Sequence, residues 1–355
     1  MQFLYVFMRI LYGVCGEGFG HSSRALVLAD YLEKKGHEVI ILTYGQAYKV
    51  LKNKFRCFKV SGLHLIFEKS VLKKRKTIDY NARNFMSNFY RWKKFDKLMK
   101  EFNPDLCISD MEPIVPVLRN WYKKPLICFD NQHRLTHLEL KVPDKYLADF
   151  LLAKGVTETF VKRADYFVIT SFSKNKIKKK FRKNTFIVSP PVRGDVKKIR
   201  LNVTDGKKIL VYLTKRDKQR INVLKRIKEE FVVYGYDKNK KKGNIEFKTR
   251  EHFLEDLKDC KAIISTAGFT LISEAIYLKK PFFALPLKGQ FEQTLNALLL
   301  KEAGFGDYSE DLTKKQVDTF LENLNSYKKR LRLNRVNPDE LFKVFEILIN
   351  NINLL

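Results

Sequence analysis

The stretch Ile263-Ile264-Ser265-Thr266-Ala267-Gly268-Phe269-Thr270-Leu271-Ile272-Ser273-Glu274-Ala275 decides how this chain is read. Its apolar start reads as a buried strand that leads through Gly268 into a helix. The first N–H groups of a helix have no partner within it, and the helix dipole places partial positive charge there. The N–H groups of Phe269 and Thr270 would therefore suit a pyrophosphate. Glu274 follows one and a half turns later. An ionised carboxylate only accepts hydrogen bonds, so it can take two from a ribose diol. A short strand, 281–285, comes next. The loop after it carries Gln290, Glu292 and Gln293, and Asn296-Ala297 opens another helix. These side chains have the chemistry to grip several hydroxyls.

Outward from this stretch, short β-type runs alternate with longer helical runs. Strands are expected at 9–14, 38–43, 56–60, 105–109, 126–129, 166–170 and 185–188, with helices at 22–35, 46–52, 77–102, 114–121 and 144–163. Ser189-Pro190-Pro191 then breaks the pattern, since two prolines cannot continue a strand ladder. The alternation restarts with strands at 208–213, 231–234, 244–248, 261–265 and 281–285. Its helices fall near 217–229, 251–257, 270–278, 290–302 and 314–324. A last amphipathic helix is expected at 338–350. Such alternation argues an α/β chain of two doubly wound domains with mostly parallel sheets. The expected boundaries are 1–190 and 191–355, with the final helix able to pack back on the N-terminal domain. Sheets of this kind bind ligands at the carboxyl ends of their strands, so the expected site is the cleft that the two sheets face.

Composition narrows the alternatives. The chain has 355 residues, 45% of them apolar and 13% aromatic, enough for packed cores. That excludes disordered and collagen-like classes. Lys and Arg number 69 against 39 Asp and Glu, and 69 − 39 gives a net charge of +30. Such a charge biases partners toward phosphates, nucleic acid or an anionic membrane. The lysine-rich runs 174–183 and 238–242 read as solvated faces. The five cysteines, at 15, 57, 107, 128 and 260, form no CxxC pair, which argues against a disulfide scaffold or a thiolate zinc site and suits a reducing compartment. No uncharged apolar stretch reaches about 18 residues. Arg9 interrupts the apolar start and no cleavage site follows it, so residues 1–7 read as an extra leader or a mis-called start rather than a signal peptide.

The first strand runs into Gly16-Glu17-Gly18-Phe19-Gly20-His21-Ser22-Ser23-Arg24. The glycine spacing resembles a dinucleotide fingerprint, but two features oppose it. Glu17 would set a carboxylate near a phosphate, and the second strand ends Ile41-Leu42-Thr43-Tyr44 with no acid to hold a ribose. His21, at the mouth of the next helix, is placed either to take a proton at neutral pH or to cap that helix.

At Gly268-Phe269-Thr270-Leu271-Ile272-Ser273-Glu274, with Pro281 and Glu292-Gln293-Thr294-Leu295-Asn296-Ala297, the chain resembles the donor-binding signature of GT-B glycosyltransferases. The closest resemblance is to the bacterial cell-wall enzyme that adds N-acetylglucosamine to a lipid-linked acceptor. Gly18-Phe19-Gly20-His21 is similar to that group's acceptor-side loop. A little-studied prokaryotic branch shares Gly-Glu-Gly-x-Gly-His and Asp-Asn-Gln-His. The resemblance implies a GT-B fold and a nucleotide-sugar co-substrate, a uridine diphosphate sugar first, with no further cofactor. It implies that Glu274 holds the ribose, that Gly268, Phe269 and Thr270 hold the diphosphate, and that Glu292 and Gln293 contact the sugar. His21 would be the general base. In the uridine-sugar branch an aspartate orients that histidine, and Asp110 occupies the comparable place here. Read alone, Asp110 could equally be a helix N-cap. That branch has a histidine where this chain has Thr266 and a serine where it has Leu271. Lys215 or Arg216 could supply the missing positive charge.

Asp130-Asn131-Gln132-His133-Arg134 follows another apolar strand. Asn131, Gln132 and His133 could line the acceptor site beside Gly18 and Gly20, or form a plain turn. His37, His64, His137 and His252 lack partner spacing. Asp110-x-Glu112 would suit a magnesium diphosphate, but a helix terminus already serves the donor side, so no metal is expected. The apolar patch and basic run at 63–76 reads either as a strand plus a solvated loop or as an anionic-membrane contact. The expected activity is an inverting hexosyltransferase acting on a hydroxyl acceptor, with a lipid-linked one in view. The expected place is cytoplasmic and peripheral to the inner face of a membrane. A sugar-nucleotide epimerase of the same fold is one alternative. A basic nucleic-acid-binding protein is the other, though no such motif is present.

Overall fold

The computed structural model describes residues 7–353 apart from Leu63, Leu65, Lys69, Ser70, Lys162 and Lys215. Residues 1–6 of the expected leader, Lys215 and part of the patch at 63–76 therefore lie outside the described residues. The chain divides into two compact units. The first comprises Met1–Glu68, Leu72–Pro191 and Asn337–Leu355, and the second is Val192–Val336 together with the short segment Lys69–Val71.

The first unit holds β1 (Arg9–Val14), β2 (Glu38–Thr43), β3 (Arg56–Lys59), β4 (Phe67–Glu68), β5 (Val71–Leu72), β6 (Leu106–Asp110), β7 (Leu126–Asp130), β8 (Tyr166–Thr170) and β9 (Thr185–Val188). Seven of these form one parallel sheet in the order β3-β2-β1-β6-β7-β8-β9, and β4 pairs with β5 apart from it. The order reverses between β1 and β6, so their carboxyl ends lie side by side and Val14 is in register with Asp110. A doubly wound sheet opens a ligand crevice at such a point. The central strands are buried end to end, which is why they read as continuous apolar runs rather than alternating ones.

The unit is completed by the last helix, Glu340–Asn353. Leu341, Phe345, Leu348 and Ile349 are buried in one cluster with Ile10, Tyr12, Leu28 and Phe129. The Phe345 ring meets Phe129 edge-on at 5.4 Å. Glu340 accepts from the Ser189 backbone N–H at 3.0 Å, pinning the helix start beside the end of β9.

The second unit holds β10 (Ile209–Tyr212), β11 (Phe231–Tyr234), β12 (Lys240–Lys242), β13 (Ile245–Phe247), β14 (Ala262–Thr266), β15 (Phe282–Leu285) and β16 (Gly306–Tyr308). Their order is β12-β13-β11-β10-β14-β15-β16, parallel except for β12. The lysine run expected as a solvated face is thus partly the edge strand β12. Three exposed lysines on an edge discourage a further strand from pairing there.

Two differences from the sequence reading have local causes. The helix expected at 77–102 is two helices, Lys74–Tyr90 and Trp92–Phe102, broken at Arg91, where ψ is 1°. The first helix begins at Gly18 rather than at residue 22. Gly18 has φ +71°, a conformation open to glycine at no steric cost, and this turns the chain sharply enough to start the helix earlier.

Candidate active site

The earlier helix start places His21 in the first turn of Gly18–Lys34, beside the ends of β1 and β6. Its Nδ1 lies 2.8 Å from Asp110 Oδ1. Asp110 is fully buried as the last residue of β6. It does not cap the next helix. Glu112 does, accepting from the Ile114 and Val115 N–H groups at 2.9 Å each. Burial pushes the Glu112 carboxyl up to about 7 despite those two bonds. The two carboxylates of Asp110-x-Glu112 are thus committed to different partners.

Asp110 also binds a residue that the sequence reading passed over. Arg24, one turn after His21, donates from Nε to Oδ2 at 3.0 Å and from Nη2 to Oδ1 at 2.6 Å. Its Nη1 donates to Asn131 Oδ1 at 2.9 Å, and its guanidinium lies 5.7 Å from the centre of the Phe129 ring. Arg24 is buried. A buried pair like this gains little over an apolar one, yet removing one partner costs about 3–5 kcal/mol, because a buried charge is left uncompensated.

With both Asp110 oxygens accepting from the guanidinium, His21 Nδ1 is the third donor to the carboxylate. Nε2 is then the ring's acceptor, and it faces the Gln132 amide nitrogen at 3.5 Å. The His21 side chain is 13% exposed, enough for a small hydroxyl to reach it. Burial pulls the imidazole down, but the Asp110 charge and hydrogen bond outweigh it and hold His21 well above 6.5.

Asn131 and Gln132 therefore join His21, whereas His133 turns inward. Its Nδ1 lies 2.7 Å from Asp130 Oδ2, its Nε2 3.2 Å from the Val161 carbonyl, and its ring packs on Phe167. Cys128, Asp130 and His133 are close enough to share a cation. Burial raises the Cys128 thiol and also opposes Asp130 ionisation, but the His133 charge and bonds win and hold Asp130 below its ordinary value. These three bond to one another and anchor the loop from beneath. Glu17 is taken by His64 Nδ1 at 2.9 Å, a partner that their separation in sequence gave no means of finding. His137 does find partners, stacked 3.7 Å from the Phe181 ring centre.

In the second unit, β14 ends at Thr266 and the helix Phe269–Tyr277 starts after Gly268 with no side-chain cap. Gly268 has φ −70°, and a Cβ added there would meet nothing within 4 Å. The backbone does not need glycine at this corner. Asn296 donates to the Ala267 carbonyl at 2.9 Å, tying the helix Phe291–Glu302 to the same corner. Glu292 stands in that helix's first turn, and Gln293 accepts from the Leu287 N–H at 3.1 Å. Phe269 is buried, with Thr270 half-buried beside it. Arg216 is exposed beyond β10, the neighbour of β14, and donates to the Tyr236 carbonyl at 3.3 Å.

Glu274 is 3% exposed and is gripped by Arg193, from Nε at 2.7 Å and from Nη2 at 3.2 Å. Burial raises the Glu274 carboxyl, and Arg193 opposes the rise. Arg193 lies 81 residues away, just past the proline pair, and no spacing rule connects the two.

Two α/β sheets of mostly parallel strands, one in each unit, are the fold of GT-B glycosyltransferases. The model of the family described as "Glycosyl transferase family 1" matches residues 8–325, and the chain belongs to that family. It is a transferase. An uncharacterized glycosyltransferase of Methanosarcina acetivorans is 26% identical over 325 residues, spanning 84% of this chain and 85% of that one. The fold is shared with Phytolacca americana UGT2, solved with UDP-2-fluoro-glucose and pterostilbene, at 11% identity and a TM-score of 0.66, covering 92% of this chain and 93% of that one. It is also shared with Acinetobacter baumannii MurG, at 14% identity and a TM-score of 0.60, covering 96% and 99%. No helix among the described residues is long and apolar enough to cross a membrane.

Proposed function

We propose that the chain transfers a sugar from a nucleotide diphosphate donor to a hydroxyl acceptor with inversion at the anomeric carbon. The observation that carries this reading is the 2.8 Å contact between His21 Nδ1 and the fully buried Asp110. It leaves Nε2 as the basic atom of a partly exposed ring. In the proposed step, Nε2 takes the proton from the acceptor hydroxyl. The oxygen attacks the anomeric carbon, the bond to the diphosphate breaks, and the leaving group departs from the opposite face.

The proposed donor site is the corner at Gly268, Phe269 and Thr270, where the helix dipole meets the developing negative charge. Arg216 adds positive charge, and Glu292 and Gln293 hold sugar hydroxyls. Glu274 takes the ribose. An ionised carboxylate has about four lone-pair sites, so the two bonds from Arg193 leave capacity for the diol. Gly18, Gly20, Asn131 and Gln132 form the acceptor side, with His133 bracing their loop. A uridine diphosphate sugar is the favoured donor, and the UGT2 structure was solved with a ligand of that class. No metal or further cofactor enters this reading, since the helix start at Phe269 and the positive charge of Arg216 are proposed to meet the diphosphate. The charge of +30 favours an anionic membrane surface, and the acceptor proposed with it is a lipid-linked one on the cytoplasmic side.

The test is isothermal calorimetry with uridine diphosphate, paired with product analysis from a panel of UDP-sugars with and without acceptor. Binding that depends on Glu274, with product formed only when an acceptor is present, supports the proposal. A free sugar nucleotide converted without acceptor would make the chain an epimerase instead.

A further inference from the structure

We propose that Arg24 is a positioning residue for the base: its guanidinium locks Asp110 so that the carboxylate meets only His21 Nδ1, and its positive charge moderates the hold of that carboxylate on the ring. This rests on the reading of His21 as the base. Three features carry it. Arg24 binds both Asp110 oxygens, at 3.0 and 2.6 Å, so the carboxylate cannot rotate away from the ring. Its third arm binds Asn131 at 2.9 Å, coupling the dyad to the loop that carries Gln132. Its Nη2 lies 3.2 Å from His21 Nδ1, so a protonated ring faces a cation as well as an anion.

The groups that face His21 can be named. Cys15 follows β1, Asp110 ends β6, Gln132 follows β7 and is neutral, and Arg24 lies on the same helix as His21. Tyr12 and Asp130 act on Arg24 from β1 and β7, and both favour its charge. Arg24 is thus the cation set against two carboxylates. Without it, Asp110 would bind the His21 proton more tightly and the ring would give it up only at still higher pH. An opposite charge within about 4–6 Å shifts a titration by about 1–3 units, so the contribution of Arg24 is measurable.

The experiment reads the His21 ring directly, by NMR titration of the imidazole assigned with His21→Gln, and therefore needs no substrate. In Arg24→Gln the ring is expected to titrate at least about one unit higher than in the unchanged protein, in line with that range. The acid limb of kcat/KM should move by the same amount, with activity returning at high pH and the donor KM unchanged. Arg24→Lys, which keeps the charge but not the fork, should titrate close to the unchanged protein while kcat stays low. Should Arg24→Gln fail to fold, Asp110→Asn and the double variant Asp110→Asn/Arg24→Gln complete the cycle. His21 should titrate lower in the single variant, where an unpaired guanidinium faces it, than in the double. Equal titration in those two, or an unmoved ring in Arg24→Gln, overturns the proposal. A ring that moves as expected while His21→Ala keeps full transfer would leave the Arg24 effect standing and sink the reading of His21 as base.

Discussion

Each unit contains the same corner: a buried parallel strand, a glycine, and the start of a helix. The corner after β1 is crowded. Gly18 is required there by its φ of +71°, and within two turns the helix presents His21 and Arg24 to Asp110. The corner after β14 is bare. Gly268 sits in ordinary extended backbone, no side chain caps the helix, and open space lies over its Cα. One corner sets side chains against a buried carboxylate, and the other leaves its helix start bare. A glycine motif alone does not reveal which use a corner serves. What separates the two is the content of the neighbouring strand end: Asp110 on β6 in the first unit, and the apolar Phe282–Leu285 strand in the second.

The sharpest way to break this comparison is His21→Ala. General acid–base catalysis contributes about 10²–10⁴-fold, so transfer should fall by that factor while calorimetric affinity for uridine diphosphate stays unchanged. A loss of affinity would mean that the first corner also binds donor.

Glu274→Ala tests the second corner. A hydrogen bond to a charged group contributes about 1.5–3 kcal/mol, so uridine diphosphate should bind about 10- to 150-fold more weakly. Unchanged affinity would show that Arg193, not ribose, is the partner of that carboxylate.

The pH profile sharpens the contrast further. His21 acts as a base only when deprotonated, and its value is held well above 6.5. Activity should therefore rise with pH along a limb lying above the ordinary histidine value, while nucleotide binding does not follow that limb. The sign for stability is opposite. A raised folded value stabilises the protein fully below about 6.5, and that contribution fades as pH climbs through the raised value. Denaturant midpoints measured at several pH values would reveal it.

The smallest effect separates the two glycines. Gly18→Ala forces a side chain into left-handed backbone and should cost about 1–2 kcal/mol, seen as a lower thermal midpoint. Gly268→Ala meets no atom and no strained angle, so the midpoint should hold while diphosphate binding weakens. Equal stability losses at both positions would erase the distinction drawn here.

Much of the fold was legible in the residues. β1, β2, β8, β9 and β11 occupy the spans that apolar runs and flanking polar residues define. Both glycine corners were legible for the same reason, since each is set by neighbours along the chain. The edge strands β12 and β16 were not legible, because the first is three lysines and the second holds Gly306-Asp307-Tyr308. Neither has an apolar signature, and each is a strand only because a sheet edge offers it hydrogen bonds.

The site divides in the same way. His21, Asp110, Gly268 and Glu274 could be picked out because their residue types suit a chemistry at the end of a strand. Arg24 was in plain view, three residues past His21, yet it read as one basic residue among 69. Arg193 was equally anonymous. Sequence alone determined the succession of strands and helices, because burial on both faces and helix starts leave local signatures. Only the tertiary structure decided which charges are paired. A guanidinium and a carboxylate attract over a few ångströms whatever their separation along the chain, and the strand order that puts β1 beside β6 is what brought 86 residues of separation down to a pair of hydrogen bonds.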